Sequence, residues 1–256
     1  MKINLYFVFL ILLIVIIANS IYRCLNKDLL YFKENGYLLF PEEISSQECD
    51  QLFDLIQKEL KNENKTEGGI QNPKNRKDLL LPVNDLTKSI IKKIYKKYDS
   101  IWKNVTPTTI LAECSSFISY PGSEPQIWHA DILNGYGRAN LITIGIALKD
   151  IDDTMGPLEV YPKSNNLTLE NENVNFDNRK EDKFLEEIGF KSKKLSCKKG
   201  SIIIWDSEIY HRGGANKSNQ IRPIFYFSFL EGNKPKPNGA TYSLKETNKK
   251  IFVKDL

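Results

Sequence analysis

The first third of the chain carries apolar positions at helical spacing. Asp28–Asn35 predicts a short helix that ends at Gly36, and Tyr37–Phe40 predicts a brief strand. Ser45 and Glu48 have the spacing of a capping box, in which each side chain satisfies the other's backbone amide at the start of a helix. They precede a stripe of apolar residues that predicts an amphipathic helix: Cys49, Leu52, Phe53, Leu55, Ile56 and Leu60.

A second amphipathic helix is predicted over Leu86–Trp102, where apolar residues again recur at helical period. The segment between the two helices, Asn62–Asn84, is polar and contains two consecutive glycines, so we expect a loop. A long loop in a compact domain is often a lid or a substrate-facing segment. We therefore expect this loop and the polar Tyr161–Lys191 segment to determine the choice of substrate.

Beyond Thr108 the pattern changes to short apolar or alternating segments separated by turns, which is typical of strands. The predicted strands are Thr109–Tyr120, Leu141–Leu148, Leu158–Tyr161, Ser201–Trp205 and Ile224–Leu230. Helices followed by short strands indicate an α+β domain. We expect a double-stranded β-helix core, of the jelly-roll or cupin-like kind, with the N-terminal helices flanking it.

The amino terminus is strongly hydrophobic, because Leu5–Ala18 is an uninterrupted apolar run. Extended to Ile3–Tyr22, it reaches the roughly 20 residues that a membrane-spanning helix needs. We therefore expect residues 1–25 to form a single-pass anchor in the endomembrane or secretory system, and residues 26–256 to form one domain. The same run fits a signal peptide with a cleavage site at Ala18-Asn19-Ser20, so secretion is the alternative.

Composition narrows the class of protein to which the chain can belong. A chain of 256 residues is long enough for one large core. The 36 basic and 32 acidic residues give a net charge of +4, and the lysine-rich stretches contain few aromatic residues, so we expect no nucleic-acid partner. The four cysteines form no C-x-x-C pair, which excludes a zinc knuckle and a thioredoxin-type motif.

The chain has only two histidines, and both are predicted at strand ends beside turns. His129 is followed two positions later by Asp131, a spacing that places both side chains on the same side of an extended segment. A lone histidine is more often structural than catalytic, but His211 completes a set of two imidazoles and one carboxylate. That set is typical of the facial triad that holds Fe(II) in non-haem oxygenases and leaves other coordination positions open. We therefore predict a metal site at these three residues.

Four further residues are candidates for binding a cosubstrate. Arg222 stands at the head of an apolar strand, where its guanidinium can bind a carboxylate such as that of 2-oxoglutarate with two hydrogen bonds. The alternative is an arginine on the surface. Thr143 lies on the small-residue face of its strand and is a candidate hydrogen-bond donor, although tight packing explains that face equally well. Tyr120 and Gln126 flank the turn before the first metal motif and are candidates for contact with cosubstrate or substrate.

Four stretches of sequence together indicate a family. They are FKENGYLLFPEEISSQECDQL, PQIWHADI, GPLEVYPKSN and, most specifically, GSIIIWDSEIYHRGGANKSNQIRPIFYFSF. With these segments the chain resembles the phytanoyl-CoA dioxygenase family of Fe(II)/2-oxoglutarate oxygenases from Phe32 to Leu230. The resemblance implies Fe(II) held by His129, Asp131 and His211, 2-oxoglutarate bound by Arg222, and O2 as a further cosubstrate.

Two positions depart from the family pattern. After Pro162 the chain continues with Lys163-Ser164-Asn165, where the family usually has glycine and histidine, and this loop borders the substrate side. At Gly213 some members have a hydroxyl residue that helps to bind the cosubstrate. The first change bears on the substrate, and neither change touches the metal motif.

The resemblance implies a dioxygenase that hydroxylates a C–H bond of an organic substrate while 2-oxoglutarate is converted to succinate and CO2. We expect the substrate to be a small molecule or a lipid, with the membrane as a partner through the N-terminal segment. One alternative is a zinc hydrolase built on the same His/Asp/His set, which has no need for Arg222. The other is a membrane-tethered jelly-roll binding protein without turnover, which needs neither the triad nor the arginine.

Overall fold

Three helices pack on one side of the protein, and each begins or ends close to its predicted boundary. The computed structural model describes residues 26–61, 75–98, 101, 108–132, 141–167, 185–231, 244–245 and 250–256, together with Val8. Its described α-helices are α1 (Lys27–Asn35), α2 (Ser46–Lys61) and α3 (Asp85–Lys97). α1 ends at Gly36, which has a left-handed φ of 78°. The predicted capping box of α2 is formed, because the Glu48 amide donates to Ser45 Oγ at 3.2 Å and the Ser45 amide donates to Glu48 Oε2 at 2.9 Å.

Two antiparallel sheets make up the rest of the described fold. The strands are β1 (Tyr37–Phe40), β2 (Arg76–Leu80), β3 (Ile110–Ser119), β4 (Leu141–Ala147), β5 (Leu158–Val160), β6 (Lys193–Lys194), β7 (Ile202–Asp206), β8 (His211–Gly213), β9 (Arg222–Leu230) and β10 (Ile251–Phe252). The large sheet has the order β1-β7-β4-β9-β3-β10, with β2 also paired to β3, and the small sheet has the order β6-β5-β8. The predicted mixture of helices with antiparallel strands is therefore confirmed.

Strand alternation gives the large sheet two faces of different character. Its outer face packs against α2 and α3 in one apolar core, whose members include Ile144, Ile146, Phe225 and Phe227 from the sheet and Leu52, Ile56, Ile90, Ile91 and Ile94 from the helices. Its inner face turns toward the small sheet, since Tyr37 and Ile203 pack with Val160 in a second cluster. The helices thus cover one face, and the other face is left to form a site between the two sheets.

Three boundaries differ from the sequence prediction. β2 lies within the segment predicted as a loop, while residues 62–74 of that segment are outside the described residues. α3 begins at Asp85, because Asn84 caps it, and it ends at Lys97 rather than at Trp102. β9 begins at Arg222, two residues before the predicted Ile224, so the arginine expected at the head of this strand is its first residue.

The prediction of a membrane-spanning N-terminal helix is corrected. Within the described part of the chain, no helix has both the length and the apolar character needed to cross a membrane. Apart from Val8, the hydrophobic segment Leu5–Ala18 lies outside the described residues. The expected membrane location and membrane partner are withdrawn with the anchor.

Candidate metal and anion site

His129 and His211 lie opposite each other in an antiparallel bridge. The His211 amide donates to the His129 carbonyl at 2.8 Å, and the His129 amide donates to the His211 carbonyl at 3.1 Å. His211 is the first residue of β8, which is an edge strand of the small sheet, so the bridge joins the segment around His129 to that edge. The two imidazole rings are consequently neighbours, with centroids 4.5 Å apart.

The backbone orients both imidazoles in the same way. In each histidine the Nδ1 atom lies 2.9 Å from the carbonyl oxygen two residues earlier, that of Ile127 or of Ile209. A carbonyl oxygen can only accept, so these contacts place the proton of a neutral ring on Nδ1. Nε2 of each ring then keeps its lone pair for a metal ion, and the carbonyl fixes the direction in which that lone pair points.

Asp131 completes the group. Its Oδ1 atom lies 3.8 Å from Nε2 of His129 and 3.6 Å from Nε2 of His211. One possible ligand atom from each of the three residues lies within 4.8 Å of the other two, and no second cluster of this kind occurs among the described residues. Burial lowers the pKa of the His129 imidazole, and His211 acts in the same direction against the opposing effect of Asp131. A lowered pKa favours the neutral ring, which is the form that binds a metal.

The inner face of the large sheet stands opposite this cluster, because the Trp205 ring on β7 lies 5.8 Å from the His211 ring. Residues paired across neighbouring strands share a face, and the register places four successive rows on this one. The rows are Arg76, Ser119 and Arg222; then Asp78, Phe117 and Ile224; then Leu80, Ser115, Tyr226 and Gly145; then Glu113, Ser228 and Thr143. The two arginines therefore lie at one end of the face, Asp78 lies in the row next to them, and Glu113 lies at the other end.

Arg222 is buried without the partners that a buried guanidinium needs. Arg222 is 1% exposed, yet its Nε and Nη1 atoms have no hydrogen-bond partner among the described residues. Burial lowers the pKa of Arg222 to about 9, and the charge of Arg76 acts in the same direction while Cys197 opposes it. The group is still protonated at neutral pH, and a buried cation without hydrogen bonds is costly. An anion with acceptor oxygens is the ligand that would remove this cost.

Arg76 is a second buried guanidinium at the same place, and sequence reasoning missed it. Its Nε and Nη2 atoms donate to the carbonyl of Glu124 at 2.9 and 2.7 Å, and Nη2 also contacts the carbonyls of Gly213 and Gly214. Nη1 has no partner among the described residues. Burial lowers the pKa of Arg76 to about 10. The one available signal was the alternation Arg76-x-Asp78 before Leu79, Leu80 and Leu81, which fits a strand as well as a loop.

The same inner face carries two carboxyl groups, the buried Asp78 and the partly exposed Glu113. Burial raises the pKa of Glu113 to about 8, and the charges of Asp131 and Asp78 act in the same direction against the hydroxyl of Ser228, which donates to Glu113. Burial also raises the pKa of Asp78 to about 6, although the phenol of Tyr226 donates to both of its oxygens at 3.0 and 2.9 Å. The face is therefore cationic in the row of Arg76 and Arg222, and its two carboxyl groups lie in the second and fourth rows.

The other three predicted cosubstrate residues differ in position. Gln126 is close to the anion site, because its Oε1 accepts from the Gly213 amide at 2.8 Å. Thr143 lies on the inner face, and its Oγ1 atom is 2.9 Å from Oγ of Ser228. Tyr120 packs against the helix-side core rather than beside the triad. Ligand contacts of these three residues stay predictions.

Comparison with known proteins agrees with the sequence resemblance. The family model described as phytanoyl-CoA dioxygenase (PhyH) matches residues 32–224, which is most of the chain. No curated protein sequence matches the chain significantly.

Solved structures share the fold at low sequence identity. The non-haem α-ketoglutarate-dependent epimerase SnoN from nogalamycin biosynthesis is 14% identical with a TM-score of 0.68, and the match covers 90% of this chain and 98% of that one. The carbocyclase SnoK from the same biosynthesis is 14% identical with a TM-score of 0.66, covering 85% and 87% of the two chains. EctD from S. alaskensis is 15% identical with a TM-score of 0.62, covering 88% and 85%. SnoN has been crystallised with Fe3+, α-ketoglutarate and nogalamycin RO.

Proposed function

The chain belongs to the phytanoyl-CoA dioxygenase family, and on that premise we propose that it is an Fe(II)/2-oxoglutarate-dependent dioxygenase that hydroxylates a small organic molecule. We assign its two facing sheets to a double-stranded β-helix core and residues 26–256 to one catalytic domain. The observation that carries the proposal is the pairing of a His/Asp/His cluster with a buried arginine whose guanidinium has unfilled hydrogen-bond positions.

The described residues fit the two groups that the family requires. Two imidazole nitrogens and one carboxylate oxygen suit Fe(II) and leave open positions for other ligands. The unpartnered nitrogens of Arg222 and Arg76 suit the distal carboxylate of 2-oxoglutarate, since a guanidinium binds a carboxylate with charge-assisted hydrogen bonds. The cofactors are accordingly Fe(II), with 2-oxoglutarate and O2 as cosubstrates.

The residues of the chain bind and orient, and the bound groups supply the chemistry. Bound Fe(II) with 2-oxoglutarate supplies the activation of O2, with succinate and CO2 as co-products. His129, Asp131 and His211 would hold the metal, and Arg222 would bind a carboxylate of the cosubstrate. Trp205, Phe117 and Ile224 give the inner face an apolar surface beside these groups. Asp131 also favours hydroxylation over halogenation, because related halogenases have a small residue in place of this carboxylate.

A small-molecule substrate is supported by how the inner face is exposed. Most positions of the central strands are buried, but Glu113, Phe117, Ile224 and Trp205 are partly exposed, and all four are on the face that carries Arg222. Partial exposure of these four inner-face positions supports a cavity open to a ligand. Its wall combines aromatic and aliphatic surface with a few polar groups, which is typical of small-molecule sites.

The test is anaerobic addition of Fe(II) and 2-oxoglutarate to the protein, followed by measurement of the weak visible charge-transfer band of the complex. We expect the band in the wild type, and we expect His211→Ala and Arg222→Ala to abolish it. An unchanged band in both variants would show that the site is assigned wrongly. Release of succinate that depends on O2 and 2-oxoglutarate then distinguishes a dioxygenase from a binding protein, and hydrolysis supported by Zn2+ without 2-oxoglutarate would favour the hydrolase.

A further inference from the structure

Directly behind the two histidines, three side chains form a row across three strands. Glu159 on β5 pairs with Arg212 on β8, and the bridge between His129 and His211 places Trp128 opposite Arg212. Because side chains alternate along a strand, this row points to the side away from the imidazoles. The row therefore lies on the outer face of the small sheet and takes no part in the proposed metal cluster itself.

Arg212 contacts both of its neighbours in the row. Its Nε and Nη2 atoms both lie 2.8 Å from Oε2 of Glu159. Its guanidinium carbon lies 4.4 Å from the centroid of the Trp128 ring. Trp128 is 4% exposed and also packs against the ring of Tyr161, with centroids 4.2 Å apart. The guanidinium is thus fixed between a carboxylate and a buried aromatic face, an arrangement that suits arginine better than lysine.

These contacts matter because the segment that carries two of the three proposed ligands forms no strand of its own. Its backbone is joined to the chain around β8 at three places: the Gln126 amide donates to the Gly213 carbonyl, His129 and His211 form the bridge, and the Ile132 amide donates to the Ser207 carbonyl. The stack of Arg212 on Trp128 adds a side-chain connection directly behind that bridge, and Glu159 joins it to β5. The same residues that flank the two histidines therefore hold them together.

We propose that Arg212 is a positioning residue that, through Glu159 and Trp128, holds His129 and Asp131 against His211 before any metal binds. The inference rests on the proposed metal site, since it concerns how that site is prepared. Positioning of this kind reduces the ordering that metal binding would otherwise require. Arg212 itself touches neither the metal nor the cosubstrate.

The experiment compares Arg212→Ala and Arg212→Lys with the wild type and with a control, Lys198→Ala, which removes an exposed ion pair with Asp150. Affinity for Co2+ is measured anaerobically in the full chain by competition with a chromophoric chelator. We expect Arg212→Ala to bind Co2+ roughly 10- to 100-fold more weakly. Arg212→Lys is expected to lie in between, because it keeps the charge but loses the two-nitrogen contact, and the control is expected to bind as the wild type does. Trp128→Leu is expected to reproduce the loss seen in Arg212→Ala.

A second readout uses no metal. Hydrogen exchange of the His129 and His211 amides in the metal-free protein reports their mutual hydrogen bonds directly. In Arg212→Ala we expect these two amides to exchange faster while amides in the β4–β9 ladder keep their protection. Unchanged Co2+ affinity with unchanged exchange would overturn the inference, as would a uniform loss of protection, which indicates general destabilisation. If His211→Ala leaves Co2+ affinity unchanged, the proposed metal site fails, and the exchange measurement still decides the positioning role.

Discussion

Arg76 and Arg222 converge on the backbone of Gly213. A β-carbon at Gly213 would lie 2.8 Å from Nη1 of Arg76, 3.1 Å from Nη2 of Arg222 and 2.9 Å from Oε1 of Gln126. Two buried guanidinium groups therefore share the space that a side chain at position 213 would occupy. Like charges so close are unfavourable unless an anion lies between or beside them, which supports the proposed binding of the 2-oxoglutarate carboxylate at this place.

Arg222 gives the most direct test of this arrangement. We expect Arg222→Met to weaken 2-oxoglutarate binding by about 2–5 kcal/mol, or roughly 30-fold and more, because the variant lacks one partner of a buried charged pair. The variant also removes an unpartnered buried charge, so its melting temperature without ligand is expected to equal or exceed that of the wild type. Thermal unfolding with and without 2-oxoglutarate measures both effects, since a ligand that binds only the native state raises the melting temperature.

A matched control is Arg76→Met. Arg76 donates to three backbone carbonyls and has only Nη1 free, so its loss is expected to reduce protein stability more and 2-oxoglutarate affinity less than the loss of Arg222. Ligand-dependent stabilisation that persists in full in Arg222→Met would contradict the assignment of the cosubstrate site.

Gly213→Ala tests the space beside the guanidinium groups of Arg76 and Arg222 rather than their charge. Contacts of 2.8–3.1 Å from the new methyl group would require both arginines and Gln126 to move. We expect a loss of 2-oxoglutarate affinity of at least about tenfold, equivalent to roughly 1.4 kcal/mol, with metal binding preserved because the triad is untouched. Gly189→Ala is the control for a loss of stability away from the site, since its added β-carbon meets no atom within 4 Å but its φ of 94° is strained for alanine, and we expect it to destabilise the protein without changing 2-oxoglutarate affinity. Equal 2-oxoglutarate affinity in Gly213→Ala and wild type would show that the cosubstrate does not use these guanidinium positions.

The sequence predicted the metal cluster because its signal is local chemistry. A His-x-Asp pair and a second histidine, in a chain with two histidines, leave few other combinations, and the structure brings all three residues together. The orientation of the rings could not be predicted in this way. It depends on the carbonyls of Ile127 and Ile209, and backbone carbonyls carry no signature in the sequence.

Arg76 and β2 were missed for the opposite reason. A strand with Arg76, Lys77 and Asp78 has the composition of a loop, and only its pairing with β3 buries the first and third of these side chains. Strand formation here is decided by partners far away in the chain and not by local preference. The alternation of Arg76 and Asp78 around Lys77 was the only signal, and it could be interpreted as a strand only once the pairing with β3 was known.

Tyr226→Phe tests the hydrogen bonds that the buried Asp78 accepts on the inner face. The phenol donates to both oxygens of Asp78, which is 2% exposed, so the variant leaves a buried carboxyl group without this donor. We expect a loss of about 1–3 kcal/mol in the free energy of unfolding at neutral pH, measured by urea denaturation. In the Asp78→Asn background the same substitution is expected to cost less, because the charged acceptor is gone. Additive effects of the two substitutions would contradict the coupling.

The pH dependence of stability gives the final test, because the pKa of Asp78 is raised to about 6 from its usual 3.8, chiefly by burial. Between these two values the native state binds more protons than the unfolded state. The contribution of Asp78 to stability is therefore most favourable below the lower value, falls as pH rises through the window, and reaches its full penalty above about 6. We expect Asp78→Asn to remove this decline, with a difference between variant and wild type that grows by up to about 1.4 kcal/mol per pH unit within the window.

Asp150 is expected to make stability depend on pH in the opposite direction to Asp78. The side chain of Lys198 and the amide of Lys199 lower the pKa of this exposed carboxyl, so its contribution to stability grows as pH rises through the lowered value. Asp150→Asn is therefore expected to lower stability at pH values above the ordinary pKa of 3.8, where the wild-type carboxylate contributes in full, whereas Asp78→Asn is expected to raise stability relative to the wild type above about pH 6. Urea denaturation of both variants from about pH 2 to 7 measures the two slopes, because the slope of Asp150 lies below 3.8 and that of Asp78 lies between 3.8 and about 6. A slope in Asp78→Asn that equals that of the wild type would mean that the buried carboxyl does not hold a proton in the native state.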